Sequence, residues 1–110
     1  MKIINRVRKS KDFALIIKNG RSSKNQSFVI HWMPTTNQHV RVGISVSSKL
    51  GHAVIRNRIK RQIRAMCDEI INFEESYDAV VVAKKGFLEL DYKSNQTLLS
   101  ELIEKMRGNN

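Results

Sequence analysis

An α+β sandwich, with helices covering a small sheet, is the fold class this sequence predicts, in the order αβββαβα. Three observations predict it. Val40, Val42, Ile44 and Val46 alternate with Arg41, Gly43, Ser45 and Ser47, the period of a half-buried strand. Asp78-Ala-Val-Val-Val-Ala is a continuous apolar run, as expected of a strand buried on both faces. Ile59, Ile63, Met66 and Ile70 recur at the spacing of an amphipathic helix. The 110 residues suffice for one domain, read as residues 1–110, and 41% hydrophobic content supplies one modest core.

The elements follow in order. Residues 1–9 are read as a basic arm with freedom to move. Ser10 is placed to cap a helix from Lys11 to Asn19, with Asp12 in its first turn and Gly20 at the position after its end. Arg21 to Asn25 is polar and can hold a short edge strand. Phe28 to Met33 reads as a strand stopped by Pro34, with Phe28, Ile30 and Trp32 on one face and Val29, His31 and Met33 on the other. It and the alternating strand are close in sequence and expected to run antiparallel. Ser47 to Val54 shows little periodicity and reads as a loop, followed by a helix from about Asn57 to Ile71. Asp91 is placed to cap a last helix whose apolar stripe is Leu98, Leu99, Leu102, Ile103 and Met106.

Charge narrows the function. Lys and Arg total 20 against 10 Asp and Glu, a net charge of +10, which points to a polyanionic partner. No apolar run approaches a membrane span, and the first residues lack the apolar stretch of a secretory signal. A single cysteine, Cys67, gives no internal disulfide and fits a reducing cytoplasm. Cys67 itself reads as a small buried hydrophobe.

The densest charge lies in Ile55-Arg-Asn-Arg-Ile-Lys-Arg-Gln-Ile-Arg-Ala-Met. At about 100° per residue, Asn57, Lys60, Arg61 and Arg64 share one narrow sector of a helix and the isoleucines the opposite one. Arg58 sits on the flank and Arg56 just precedes the helix in this reading. Docking of the apolar side on the sheet would hold the cations as a fixed array, suited to the spaced phosphates of structured RNA. Asn57, near the helix start, would add donors to amides that already favour an anion. A merely solvated face would carry acidic partners four residues away, and only Asp68, after Arg64, offers one. A membrane-lying helix would need its isoleucines free to insert, whereas here they are explained as core.

A second feature is a candidate groove. Gly43 and Ser45 are small and share a face with Arg41, while His31, Val29 and Met33 line the neighbouring strand. Phe13 and Ile17, one helical turn apart, could wall this space or simply be core. Unpaired nucleotides bind such grooves by stacking, with basic residues at the rim. No metal-ligand spacing surrounds His31, His39 or His52, and no phosphate-binding glycine loop or nucleophile elbow appears, so no catalytic or metal residue is assigned.

The segment Gly51-His-Ala-Val-Ile-Arg-Asn-Arg-Ile-Lys-Arg-Gln-Ile-Arg resembles the signature of the bacterial ribonuclease P protein component. Supporting matches are Arg6 and Lys9 before Asp12-Phe13, Gly20, Phe28-Val29, Arg41-Val-Gly-Ile-Ser-Val-Ser and Asp78. The resemblance implies a ribosomal protein S5 domain 2-like fold with a left-handed βαβ crossover around the basic helix. It implies a subunit that assists endonucleolytic removal of the 5′ leader from precursor tRNA. Catalysis would lie in the RNA subunit with its Mg2+ ions, and the chain alone would bind no cofactor. Arg56, Asn57, Arg58, Lys60, Arg61, Arg64, Lys49, Arg6 and Lys9 would contact RNA. Phe13, Ile17, His31 and Arg41 would form the leader cleft. The expected partners are ribonuclease P RNA and precursor tRNA, with no membrane and one protein per RNA, in the cytoplasm. The rival readings are a ribosomal or RNA-assembly protein with a purely structural role, and a self-sufficient basic ribonuclease.

Overall fold

The computed structural model describes residues 1–108. The elements are α1 (Ser10–Asn19), β1 (Arg21–Lys24), β2 (Phe28–Met33), β3 (Arg41–Val46), α2 (Ala53–Ile70), β4 (Asp78–Ala83) and α3 (Tyr92–Gly108). Single 3-10 turns lie at Ile3–Asn5, Ser48–Leu50 and Lys85–Glu89. The order αβββαβα is the one expected.

The sheet order is β1-β2-β4-β3. β2 pairs antiparallel with β4, and β4 pairs parallel with β3. β2 and β3 therefore run antiparallel but do not touch, because the apolar β4 inserts between them. That central place explains its continuous apolar run: Asp78 to Val81 and Ala83 are all buried. The parallel β3–α2–β4 connection carries the basic helix across one face of the sheet.

Alternation assigns the two faces as the sequence does. Phe28, Ile30 and Trp32 join Ala79, Val81, Ala83, Val42 and Val46 in one core. α2 covers it with Ile59, Ile63, Met66 and Cys67, and α3 with Leu99, Leu102, Ile103 and Met106. Phe28 and Phe87 meet edge to face with ring centroids 5.7 Å apart. The opposite face carries α1 and the arm through a smaller cluster of Val7, Ile16 and Val80, with Phe13, Met33 and Val82 packed against it.

Three details differ from expectation. α2 begins at Ala53 rather than near Asn57. Its first turn exposes Val54 at 70% and has no side-chain cap at His52, so the turn carries neither an amphipathic nor a capping signal. At the start of α1, Ser10 is already helical and Lys9 precedes the helix without a side-chain cap. Gly20 follows α1 in an extended conformation, not a left-handed one. A Cβ there would stand 2.5 Å from the Ile16 carbonyl oxygen and 2.6 Å from that of Trp32, so glycine serves close backbone approach. Asp91 does cap α3, its Oδ1 accepting from Ser94 N at 2.8 Å.

The arm packs along the sheet edge. Val7 N donates to Val42 O at 3.1 Å, Arg6 bridges Val42, and buried Asn5 donates through Nδ2 to Val40 O at 2.8 Å. A polar cluster locks the far end: Ser27 Oγ donates to Asn95 Oδ1 at 2.6 Å, and Asn95 Nδ2 donates to Phe87 O at 3.0 Å.

Cys67 is fully buried on α2, and burial, aided by Asp68, pushes its thiol up to about 12. The thiolate is the reactive form, so native protein at pH 8 should resist iodoacetamide and react only as it unfolds. Complete labelling of the folded protein within minutes would contradict this packing.

Candidate nucleic-acid interface

Ile59, Ile63 and Met66 are at most 3% exposed, so α2 is fixed against rolling. The cations on its other side are left in place. Asn57, Arg58 and Arg61 are exposed, and Arg56, Lys60 and Arg64 half-buried. Among the described residues none of the five basic side chains lies within ion-pair distance of a carboxylate. Asp68, the one acidic partner available to Arg64 along the helix, instead holds the Met1 ammonium at 2.8 Å. An array of like charges with no internal counter-ion costs stability and is explained by an external polyanion.

The longer helix revises two roles. Arg56 belongs to α2, where its N–H closes the first turn on His52 O at 2.9 Å. Asn57 lies beyond the first-turn amides of Ala53 to Ile55, so it does not extend their donor set. Lys49 is exposed in the 3-10 turn before α2.

Arg6 and α2 border the same groove. Its lining includes Arg6, Arg8, Lys60 and Arg64, with Phe13, Val42 and Ile44 among its apolar residues, and its volume is about 450 Å³. Lys9 is exposed just before α1 and lies outside that lining. Phe13 reaches the groove because β3 carries glycine beneath it: a Cβ on Gly43 would meet two Phe13 ring carbons at 2.6 Å. Arg8, Val42 and Ile44 were not singled out from the sequence. Only the pairing of the arm with β3 reveals them, since Val42 and Ile44 read there as ordinary strand core.

The other cleft residues are distributed. Ile17 is 41% exposed on α1, and His31 is half-buried on the α1 face of β2. Below α1 the register aligns Val29, Val82 and Ser45 in one cross-sheet row, all half-buried. His31, Val80 and Gly43 form the next row. Arg41 is engaged within the protein. Its Nε and Nη2 donate to Asp78 Oδ1 and Oδ2 at 3.0 and 2.7 Å, with Asp12 at 3.9 Å. Hydrogen bonding and the charges of Asp78 and Asp12 raise its pKa further.

Burial lowers the pKa of His31 from its ordinary value of 6.5. The unfolded chain then binds the proton more readily than the folded one. Stability should be complete above about pH 6.5 and decline as pH falls from there toward the depressed folded value. His31→Gln should flatten that part of a stability–pH curve, and an unaltered slope would remove His31 as its source.

Comparison with known proteins decides the family. The ribonuclease P family model matches residues 1–107. The chain belongs to the ribonuclease P protein family. It is 43% identical over 104 residues to the ribonuclease P protein component of Streptococcus agalactiae serotype Ia, covering 94% of this chain and 95% of that one. The corresponding protein of Streptococcus pyogenes serotype M5 is 41% identical, with 94% and 87% covered. In three dimensions the chain is similar to the RNase P protein of Staphylococcus aureus, with TM-score 0.83, 34% identity, and 93% and 94% of the two chains covered. The RNase P protein of Thermotoga maritima superposes with TM-score 0.75 and 32% identity over 88% of this chain and 94% of that one. Within the ribonuclease P protein family, then, the S5-like α+β fold and the basic helix expected from the sequence are both present in this chain.

Proposed function

We propose that this chain is the protein subunit of ribonuclease P and assists removal of the 5′ leader from precursor tRNA by binding and positioning RNA. The observation that carries the reading is the anchored row of cations on α2, which has no carboxylate partner among the described residues. Such a row can neutralise phosphates without first breaking internal ion pairs. Ribonuclease P RNA is the partner for this face, in a complex of one protein per RNA. The single-stranded leader lies along α1 over the row of Val29, Val82 and Ser45, flanked by Phe13, Ile17 and His31. Arg41 borders that cleft through its ion pair and shapes it rather than offering a free charge.

Hydrolysis belongs to the RNA subunit in this reading. No group of three or more His, Cys, Asp or Glu comes together among the described residues. We assign Mg2+ to the RNA as well, and side chains of this protein bind and orient. No helix among the described residues is long and apolar enough to cross a membrane. We place the protein in the cytoplasm, where precursor tRNA is made.

Adding the protein to ribonuclease P RNA at low magnesium should restore leader removal. Tight RNA binding without that gain would favour a purely structural RNA-binding role. Cleavage by the protein freed of all RNA would instead favour a self-sufficient nuclease.

A further inference from the structure

We propose that the groove between the arm and α2 seats one unstacked nucleotide of ribonuclease P RNA. The inference rests on the reading of this chain as a ribonuclease P protein and names what one part of its RNA-binding face holds.

The groove offers a surface for each part of a nucleotide. Its volume of 450 Å³ falls within the ~300–1,000 Å³ of small-ligand sites. Phe13 and Ile44 supply an apolar surface for a base, and Arg6, Lys60 and Arg64 stand around it to take a phosphate. None of these three cations has an ion-pair partner among the described residues; Arg6 Nη2 donates to Met1 O at 3.3 Å, and its Nε is shielded from solvent without a hydrogen-bond partner.

Strand geometry adds hydrogen bonding for the base edge. β3 is the outer strand of the sheet, and Val42 O faces its free edge, where it accepts from Val7 N at 3.1 Å. Alternate residues of a strand direct their peptide groups to the same side. The N–H and C=O of Ile44 therefore face that edge as well, beyond the point where the arm turns away into α1. No strand among the described residues pairs with them there. A donor and an acceptor beside an apolar surface are what an extruded base requires.

The shape selects a bulged nucleotide over a passing strand. The arm closes the groove at Val42, where Arg6 and Val7 pair with β3. A continuous single strand would have to leave the way it entered, whereas one nucleotide turned out of a folded RNA enters and stops.

The test is chemical probing of base edges and 2′-hydroxyls in a ribonuclease P RNA transcript at saturating protein, so that affinity differences do not blur the pattern. Wild-type protein should protect at least one unpaired nucleotide that Ile44→Glu and Arg6→Gln each return to free-RNA reactivity, while other protections persist. Losing the stacked base should also weaken RNA binding about tenfold in Ile44→Glu. Arg61→Ala, at an exposed residue outside the groove lining, should weaken binding yet keep that protection at saturation. Circular dichroism establishes that each variant is folded, and Arg6→Gln decides alone if Ile44→Glu is not. An ordinary footprint with no nucleotide that depends on Ile44 or Arg6 overturns the groove proposal only. Absence of any footprint overturns the ribonuclease P reading along with it.

Discussion

Replacing Lys60, Arg61 and Arg64 together by alanine should lower affinity for ribonuclease P RNA about 100- to 500-fold at 0.1 M salt, with the fold intact. The figure follows from counter-ion release. Each lost phosphate contact removes about 0.7–0.9 from the slope of log affinity against log salt, so three remove roughly two to three units. At 0.1 M each unit is worth about a factor of ten. Stability should change little, because all three head groups lack partners within the protein and the buried side of α2 is untouched. Relief of like-charge crowding acts on folding and leaves the salt slope alone. Binding measured from 50 to 300 mM salt decides the matter: a folded triple variant with the wild-type slope would mean that these side chains do not meet phosphate.

Arg41→Ala should behave in the opposite way, losing stability and keeping the salt slope. It leaves the Asp78 carboxylate, in a residue only 6% exposed, without its bidentate partner. Breaking a wholly buried pair costs about 3–5 kcal/mol, and partial exposure of the Arg41 side chain places this one near the lower end, about 3 kcal/mol. For a domain of this size that is a fall in Tm of roughly 12 °C. Asp78→Ala should cost less, about 2 kcal/mol, because the guanidinium it strands is 27% exposed and keeps Asp12 nearby at 3.9 Å. Thermal melts of the two variants give the order directly. Equal or reversed losses would show that burial of the carboxylate is not what makes the pair matter. A reduced salt slope in Arg41→Ala would return Arg41 to the RNA-contacting set.

Much of the fold was legible because its signals are local. Period-two alternation marked β3, the unbroken apolar run marked β4, and the two faces of β2 divided as their spacing required. The start of α2 was illegible for an equally local reason: Val54 is exposed and His52 provides no cap, so nothing in that turn distinguishes helix from loop. Gly20 was placed correctly in the chain but for the wrong reason. Its constraint comes from the carbonyls of Ile16 and Trp32, and the second of these no pattern around Gly20 reveals.

The candidate interface divides along the same line. By itself the sequence determined the family, the α+β class and the separation of cations from isoleucines on α2, since a helix repeats every 3.6 residues whatever surrounds it. Only the tertiary structure decided which charges remain available and what space they border. Arg41 is claimed by Asp78, 37 residues away, and Asp68 by the Met1 ammonium, 67 residues away. The arm, β3 and α2 enclose a groove only once β4 has taken the centre of the sheet and left β3 at its edge. Periodicity acts over a few residues and so is written in the chain; ion pairing and enclosure act through space between distant segments, and they exist only when the chain has folded.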